Sequence, residues 1–261
     1  MSSTLGCIGM AVDDVDALDA LVARLLPDAR VVARAAGLQA RRWIDPSGAS
    51  VTMTLQQQDA AGDDDGEDGG VLVDLVPSYV DAAGAGGVRV GVLVPHGATL
   101  AADLVDAEGE TITRVACDLA QSIVAEVSAP RDARITALGL QVTVHDDADA
   151  FARSDESILG TPEPGEAPKR FATESLLSYG LFGDPDTAEP RAFLSGTVLA
   201  SVSHRTEVEQ EFHAVRISTV GGTMTLCLAA EEHPEPPTPG TVVAGICYLV
   251  LDVPGLWAQS G

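Results

Sequence analysis

Two histidines and a glutamate in the last third of the chain have the types and spacing of a metal site. His204 follows a candidate strand at 193–203, and Glu211 and His213 open the next one at 211–220. A hairpin built from these two strands would set His204 and His213 facing one another. Imidazole and carboxylate groups are the usual protein ligands of zinc. The sequence predicts a divalent-metal site at His204, His213 and Glu211. The alternative interpretation is that these three are half-exposed strand residues that bind no metal.

Other motifs that carry chemistry are missing from the sequence. Ser195 lies in Leu-Ser-Gly and not in a G-x-S-x-G elbow, and the glycines at 84–87 lack the lysine of a phosphate-binding loop. We therefore predict no catalytic residue and no cofactor, although catalytic groups can come together from distant positions. No C-x-x-C pair occurs, so the four cysteines are expected to be buried free thiols. They are Cys7, Cys117, Cys227 and Cys247.

The charge balance limits the class of partner. The chain has 15 basic and 39 acidic residues, which gives a formal net charge of −24. Such a surface repels phosphate backbones and anionic membranes, so no nucleic-acid or membrane partner is expected. The first residues lack the pattern of a signal peptide, and no apolar run is long enough to cross a bilayer. These features predict a cytoplasmic protein.

One stretch of the sequence occurs twice. Residues 4–18 read TLGCIGMAVDDVDAL, and residues 137–151 read ALGLQVTVHDDADAF. Each copy has a short apolar run followed by aspartates suited to cap a helix. We therefore predict a tandem duplication with an α+β fold. Its two similar halves, 1–131 and 132–261, would each open with a strand and a helix and continue into antiparallel β structure.

Periodicity predicts the remaining elements. Apolar residues at three- and four-residue steps favour a helix from Val15 that stops at Pro27. Residues 119–127 also favour a helix, and the acidic, glycine-rich residues 59–70 favour a mobile loop. Seven well-marked strands are predicted, with a turn at 45–48 between the second and third. They span 30–36, 38–44, 49–55, 193–203, 211–220, 223–230 and 241–252.

The residues CIGMAVDDV at 7–15, followed by a helix, three strands and the turn DPSGA, resemble a module of the vicinal oxygen chelate (glyoxalase-like) family. The resemblance covers about the first 55 residues and implies a metal-dependent enzyme. It also implies a metal ligand on the first strand of each module and another on the last. Those positions hold Cys7, Leu140 and Thr52, so the family's histidine, glutamine and glutamate ligands are missing.

The segment 193–253 resembles an OB-fold barrel through its long strands and its Gly-Gly turn. The resemblance implies a barrel that binds oligonucleotides on a basic face with aromatic residues. This segment carries Phe212, Tyr248 and Arg216 but also many acidic residues. We therefore expect the barrel to serve protein contacts or the core.

These observations favour a non-enzymatic binding or assembly module with a protein partner or self-association. The alternative is a metal-dependent enzyme of the glyoxalase-like type. A third hypothesis is a small-molecule carrier that uses the cleft between the halves.

Overall fold

The computed structural model describes residues 2–57, 70–81, 87–123, 129–161, 165–182 and 184–259. Those residues form thirteen β-strands, two α-helices and several short 3₁₀ turns, so the protein is mostly β. The helices are α1 Val15–Leu25 and α2 Ala148–Arg153. The strands are β1 Arg30–Ala35, β2 Leu38–Ile44, β3 Ala49–Gln57, β4 Gly70–Tyr79, β5 Val88–His96, β6 Thr99–Val105, β7 Thr111–Leu119, β8 Arg131–His145, β9 Ser175–Ser178, β10 Arg191–Arg205, β11 Glu211–Thr219, β12 Gly222–Ala229 and β13 Val242–Asp252. The predicted α+β fold with two similar halves is wrong.

The repeated stretch is similar in structure only at its helix caps. The carboxylate of Asp14 accepts the N–H of Ala17 at 2.8 Å, and that of Asp147 accepts the N–H of Ala150 at 2.7 Å. Each aspartate thus satisfies a backbone donor that has no partner in the first helical turn. The prediction that aspartates cap a helix in each copy of the repeated stretch is confirmed.

The two copies differ on both sides of the cap. Before α1, Gly6–Ile8 form a buried 3₁₀ turn and not a strand, whereas β8 precedes α2. The second helix has only six residues, and Phe151 is its one fully buried side chain. An apolar run indicates burial, and burial does not require a strand. The division into repeats at 131 and 132 stays a prediction.

The N-terminal sheet has the order β1-β2-β3-β4 and is antiparallel throughout. Its first three strands and the turn at 45–48 were predicted and are confirmed. In that turn the N–H of Gly48 donates to the carbonyl of Asp45 at 2.8 Å. Leu21 and Leu25 of α1 belong to the same apolar cluster as Val51 of β3, so the helix and the sheet share one core.

The outer edge of β4 is protected against pairing with another strand. Pro77 has no N–H group, and the N–H of Leu75 is satisfied by the carboxylate of Asp74 at 2.9 Å. The N–H of Tyr79 donates to Oγ1 of Thr136 at 3.4 Å. These features leave few free donors on an otherwise apolar edge strand, which disfavours edge-to-edge association.

The second sheet closes into two rings of paired strands. The first ring runs β8-β5-β6-β7-β13 and back to β8, and the β7–β13 pair is parallel. The second ring runs β13-β10-β11-β12-β8 and back to β13, and the β12–β8 pair is parallel. Both rings therefore contain the antiparallel ribbon of β8 and β13. The four strands predicted for the last third are confirmed, and the OB-fold resemblance stays a prediction.

A continuous apolar core fills both rings. Ile135 of β8 and Leu249 of β13 lie in this core, whereas Leu138 and Val250 face the core shared with the N-terminal sheet. Around these residues the ribbon is therefore buried on both faces. All four cysteines are free and buried, as predicted. Burial raises the pKa of Cys7 to about 12, which keeps that thiol protonated and unreactive.

Two other predictions fall partly or wholly outside the described residues. The helix predicted over 119–127 is wrong at its start, because Leu119 ends β7 and lies in the core. Residues 124–128 lie outside the described part of the chain, as do 59–69 of the acidic loop. Within the described ranges, no helix is both long and apolar enough to cross a membrane.

Candidate functional site

The β10–β11 hairpin separates the predicted metal ligands onto two faces. In its register His204 lies opposite Phe212, whereas Ser203 lies opposite His213 and Arg205 lies opposite Glu211. Directly opposed residues of an antiparallel pair share a face, and neighbours along a strand alternate between faces. His213 and Glu211 therefore share one face of the hairpin, and His204 points to the other.

Each of these side chains has a protein partner. His204 stacks on Phe212 with ring centroids 5.2 Å apart, and its Nε2 lies 3.2 Å from the hydroxyl of Tyr79. Burial lowers the pKa of His204. Glu211 forms an exposed ion pair with Arg205 at 3.3 Å.

Among the described residues, no group of three or more His, Cys, Asp or Glu side chains is placed to hold a metal ion. The metal site at His204, His213 and Glu211 stays a prediction.

The positions that the glyoxalase-like pattern assigns to metal ligands instead join parts of the fold. The thiol of Cys7 donates to the carbonyl of Gly139 at 3.2 Å, and the hydroxyl of Thr52 donates to the carbonyl of Ala120 at 2.8 Å. The third position, Leu140, is buried. The first two contacts tie the N-terminal segment and β3 to the larger sheet.

A cavity of about 400 Å³ opens where the first residues of the chain meet the larger sheet. Its walls come from β7, β8, β13 and the residues before β10. The hydroxyl-bearing residues Ser2, Ser3 and Thr4 form one side. The lining also includes Asp118 and Tyr248, which are both half-buried.

Tyr248 and Asp118 are joined by a hydrogen bond. The phenol donates to Oδ2 of Asp118. Burial raises the pKa of Asp118, and the nearby charge of Asp74 raises it further, although the bond from Tyr248 acts in the opposite direction. Burial and the charge of Asp118 also raise the pKa of Tyr248, which therefore stays protonated. Coupled groups with shifted pKa values in a cavity are typical of functional sites.

Arg191 is the one basic side chain among the described residues that line this cavity. It lies opposite Tyr248 in the β10–β13 register, so the two side chains share a face. Its guanidinium is paired with Glu189 at 2.7 Å. Among the described residues, the hydrogen bond to the Asp118 carboxylate comes from the phenol of Tyr248.

No protein-family model, curated protein or solved structure matches this chain. The chemistry of the cavity must therefore be judged from its own side chains.

A second, larger cavity of about 1000 Å³ lies on the other side of Ser2 and Ser3. Among the described residues, the charged side chains that line it are acidic, and they are Asp13, Glu211, Glu231 and Glu232. Both cavities thus present hydrogen-bond acceptors and negative charge. The arrangement suits a ligand that donates hydrogen bonds and carries positive charge.

Sequence reasoning did not find the Tyr248–Asp118 pair. These residues lie 130 positions apart, and the fold brings them together. One local signal was present: Asp118 is a single acid inside the apolar strand segment VACDLA. An isolated charge in a buried strand needs a partner, but the sequence does not say which residue supplies it.

Proposed function

We propose that this chain is a non-enzymatic binding module, and that the cavity at Asp118 and Tyr248 takes a ligand with an ammonium group. The observation that carries the proposal is the half-buried carboxylate of Asp118, which is hydrogen-bonded to a neutral phenol beside an arginine already paired with Glu189. A buried carboxylate without a counter-ion is held at an energetic cost, and such groups are retained at binding sites.

An ammonium group fits this cavity by charge and by hydrogen bonding. It has three N–H donors and no acceptor. Asp118 supplies an anionic acceptor, Tyr248 supplies a phenol oxygen, and the hydroxyl groups of residues 2–4 supply further acceptors. Charge-assisted hydrogen bonds in a partly buried site contribute about 1.5–3 kcal/mol each.

The charge of the whole protein supports the same class of ligand. A net charge of −24 raises the local concentration of cations and accelerates their association. The ammonium group can belong to a free amine or to a lysine side chain of a partner protein. The four buried free thiols are consistent with the reducing conditions of the cytoplasm, which we propose as the location.

Calorimetric titration tests the proposal. Putrescine and N-acetyl-lysine methylamide are titrated as a free diamine and as a mimic of a lysine side chain, and 1-pentanol serves as a neutral probe. We expect amine binding that weakens about tenfold or more in Asp118→Asn, since one charge-assisted bond is lost. Asp28→Asn makes the same charge change at an exposed position and should bind normally. Absence of amine binding, or equal weakening in both variants, would overturn the proposal.

A further inference from the structure

Ser203 and His213 form a hydrogen-bonded pair in which every proton can be assigned. The Oγ of Ser203 lies 2.9 Å from Nδ1 of His213, and Nε2 of His213 lies 2.7 Å from the carbonyl oxygen of His233. A carbonyl oxygen only accepts hydrogen bonds, so Nε2 carries the proton in neutral His213. Nδ1 is then an acceptor, and the Ser203 hydroxyl donates to it.

This arrangement is that of a serine nucleophile next to its general base. The imidazole is fixed, because His213 is buried and its second nitrogen is held by the backbone. Ser203 is an exposed residue near the end of β10, next to this buried imidazole. A nucleophile, a base within hydrogen-bonding distance and a third group that orients the base are the features of an activated serine.

A cation lies on the same face of the hairpin. Arg205 is two residues beyond Ser203 on β10, and residues two apart on a strand share a face. It is held there by Glu209 at 2.7 Å and by Glu211 at 3.3 Å. These carboxylates neutralise most of its charge, so an anionic substrate is disfavoured, but its N–H groups can still stabilise an oxygen that gains negative charge.

We propose that Ser203 is a nucleophile, with His213 as its general base, and that it accepts an acyl group from an uncharged activated ester. The Oγ of Ser203 attacks the ester carbonyl carbon while its proton moves to Nδ1 of His213. The tetrahedral adduct then collapses, the bond to the leaving oxygen breaks, and His213 returns the proton to that oxygen. The products are acyl-Ser203 and the free alcohol or phenol. This site shares no residue with the cavity at Asp118, and the step is a single acylation of the chain itself, without turnover.

The test uses p-nitrophenyl acetate and the intact chain. Release of p-nitrophenol is followed by absorbance, and peptide mapping by mass spectrometry locates the acetyl group. We expect acetylation at Ser203 that is lost in Ser203→Ala. Ser201→Ala is the matched control: the residue lies on the same strand and face, and its buried hydroxyl has no hydrogen-bond partner. This control should react at the wild-type rate.

The role of His213 is tested by His213→Gln. A glutamine amide can still donate to the His233 carbonyl and accept from Ser203, but it cannot take up the proton. We expect acetylation at least about a hundredfold slower, in the range of general-base contributions. Acetyl groups found only at other residues, or an unchanged rate in this variant, would refute the proposal.

A second substitution keeps the test independent of the stability of His213→Gln. In Ser203→Cys, the imidazole of His213 should promote thiolate formation and accelerate alkylation by iodoacetamide beyond the rate of glutathione. The wild-type chain is the blank, because its four cysteines are buried. Alkylation of this variant no faster than that of glutathione would also contradict the proposal.

Discussion

Arg42 of β2 and Asp252 of β13 form a buried ion pair between the two sheets, with Nη2 and Oδ2 3.7 Å apart. The guanidinium also lies over the ring of Trp257, 4.2 Å from its centroid. The other carboxylate oxygen of Asp252 accepts hydrogen bonds from Gln121 at 2.6 Å and from Trp257 at 2.7 Å. The pair therefore ties the N-terminal sheet to the end of the shared ribbon.

Removing Arg42 should destabilise the protein strongly, because it leaves the carboxylate of Asp252 buried without a counter-ion. We expect Arg42→Met to lower the free energy of unfolding by about 3–5 kcal/mol in urea denaturation. The double variant Arg42→Met with Asp252→Leu should recover part of that loss. Arg34→Met, at an exposed position, is the control. A loss below about 1 kcal/mol would show that the pair is dispensable.

The raised pKa of Asp118 predicts a pH-dependent stability. The native state holds this proton more tightly than the unfolded chain, so the contribution of Asp118 to stability is greatest below its ordinary pKa of 3.8 and falls as pH rises through the raised value. Asp118→Asn stays neutral at every pH. The melting temperature of the variant minus that of the wild type should therefore increase as the pH rises above about 4.

Asp103 provides the opposite control. The hydrogen bond from Arg114 lowers the pKa of Asp103 below its ordinary value of 3.8. The contribution of Asp103 to the stability of the fold is therefore present above pH 3.8 and is lost as the pH falls through the lowered pKa. Asp103→Asn should lose more stability near pH 7 than near pH 3. The same sign of pH dependence in both variants would contradict the assignment of these two environments.

Each helix cap is expected to make a measurable contribution. Asp14→Ala and Asp147→Ala each leave a backbone donor of the first turn unsatisfied, and each should lower the free energy of unfolding by about 1 kcal/mol. Asp14→Asn and Asp147→Asn retain an accepting oxygen, so their free energy of unfolding should fall less than that of the alanine variants. Equal losses for alanine and asparagine would indicate that the side-chain hydrogen bond is not the cause.

At Gly245 the neighbouring strand β8 leaves no room for a side chain. Gly245 has a φ of +155°, and a Cβ atom built on it would lie 1.9 Å from the backbone oxygen of Gln141. Gly245→Ala must therefore move β13 away from β8, and we expect a loss of about 3 kcal/mol or more in the free energy of unfolding. Gly240→Ala is a suitable control, since Gly240 has a positive φ but open space around it. Similar losses in both would mean that backbone strain, and not the close contact, decides the outcome.

The sequence predicted the elements whose signal is local. The alternation of Val51, Met53 and Leu55 with threonines, and the capping aspartates of both helices, depend on neighbours within a few residues, and these features are confirmed. The strand predicted before the first helix is wrong, because residues 5–10 are buried in a turn. The amino-acid composition of this turn resembles that of a buried strand. Periodicity over so short a run cannot distinguish the two.

The candidate sites depend on information that is not local. His204 and His213 were expected on one face, but the register of the hairpin sets His213 opposite Ser203. A shift of one residue would exchange the faces, and the sequence of the turn did not fix that register. Tyr248 meets Asp118 only because β7 and β13 run parallel, a pairing between distant parts of the chain.

The shared ribbon also has a consequence for the order of events during synthesis. The first ring needs β13, whose Leu251 pairs with Leu119 about half the chain earlier. While the ribosome extends the chain, the sheet of β5 to β8 keeps unpaired edges until β13 has emerged. Contacts this far apart in sequence also slow folding of the complete chain. The open edges of these strands are therefore exposed to aggregation until β13 has been synthesised, and the two rings are completed together.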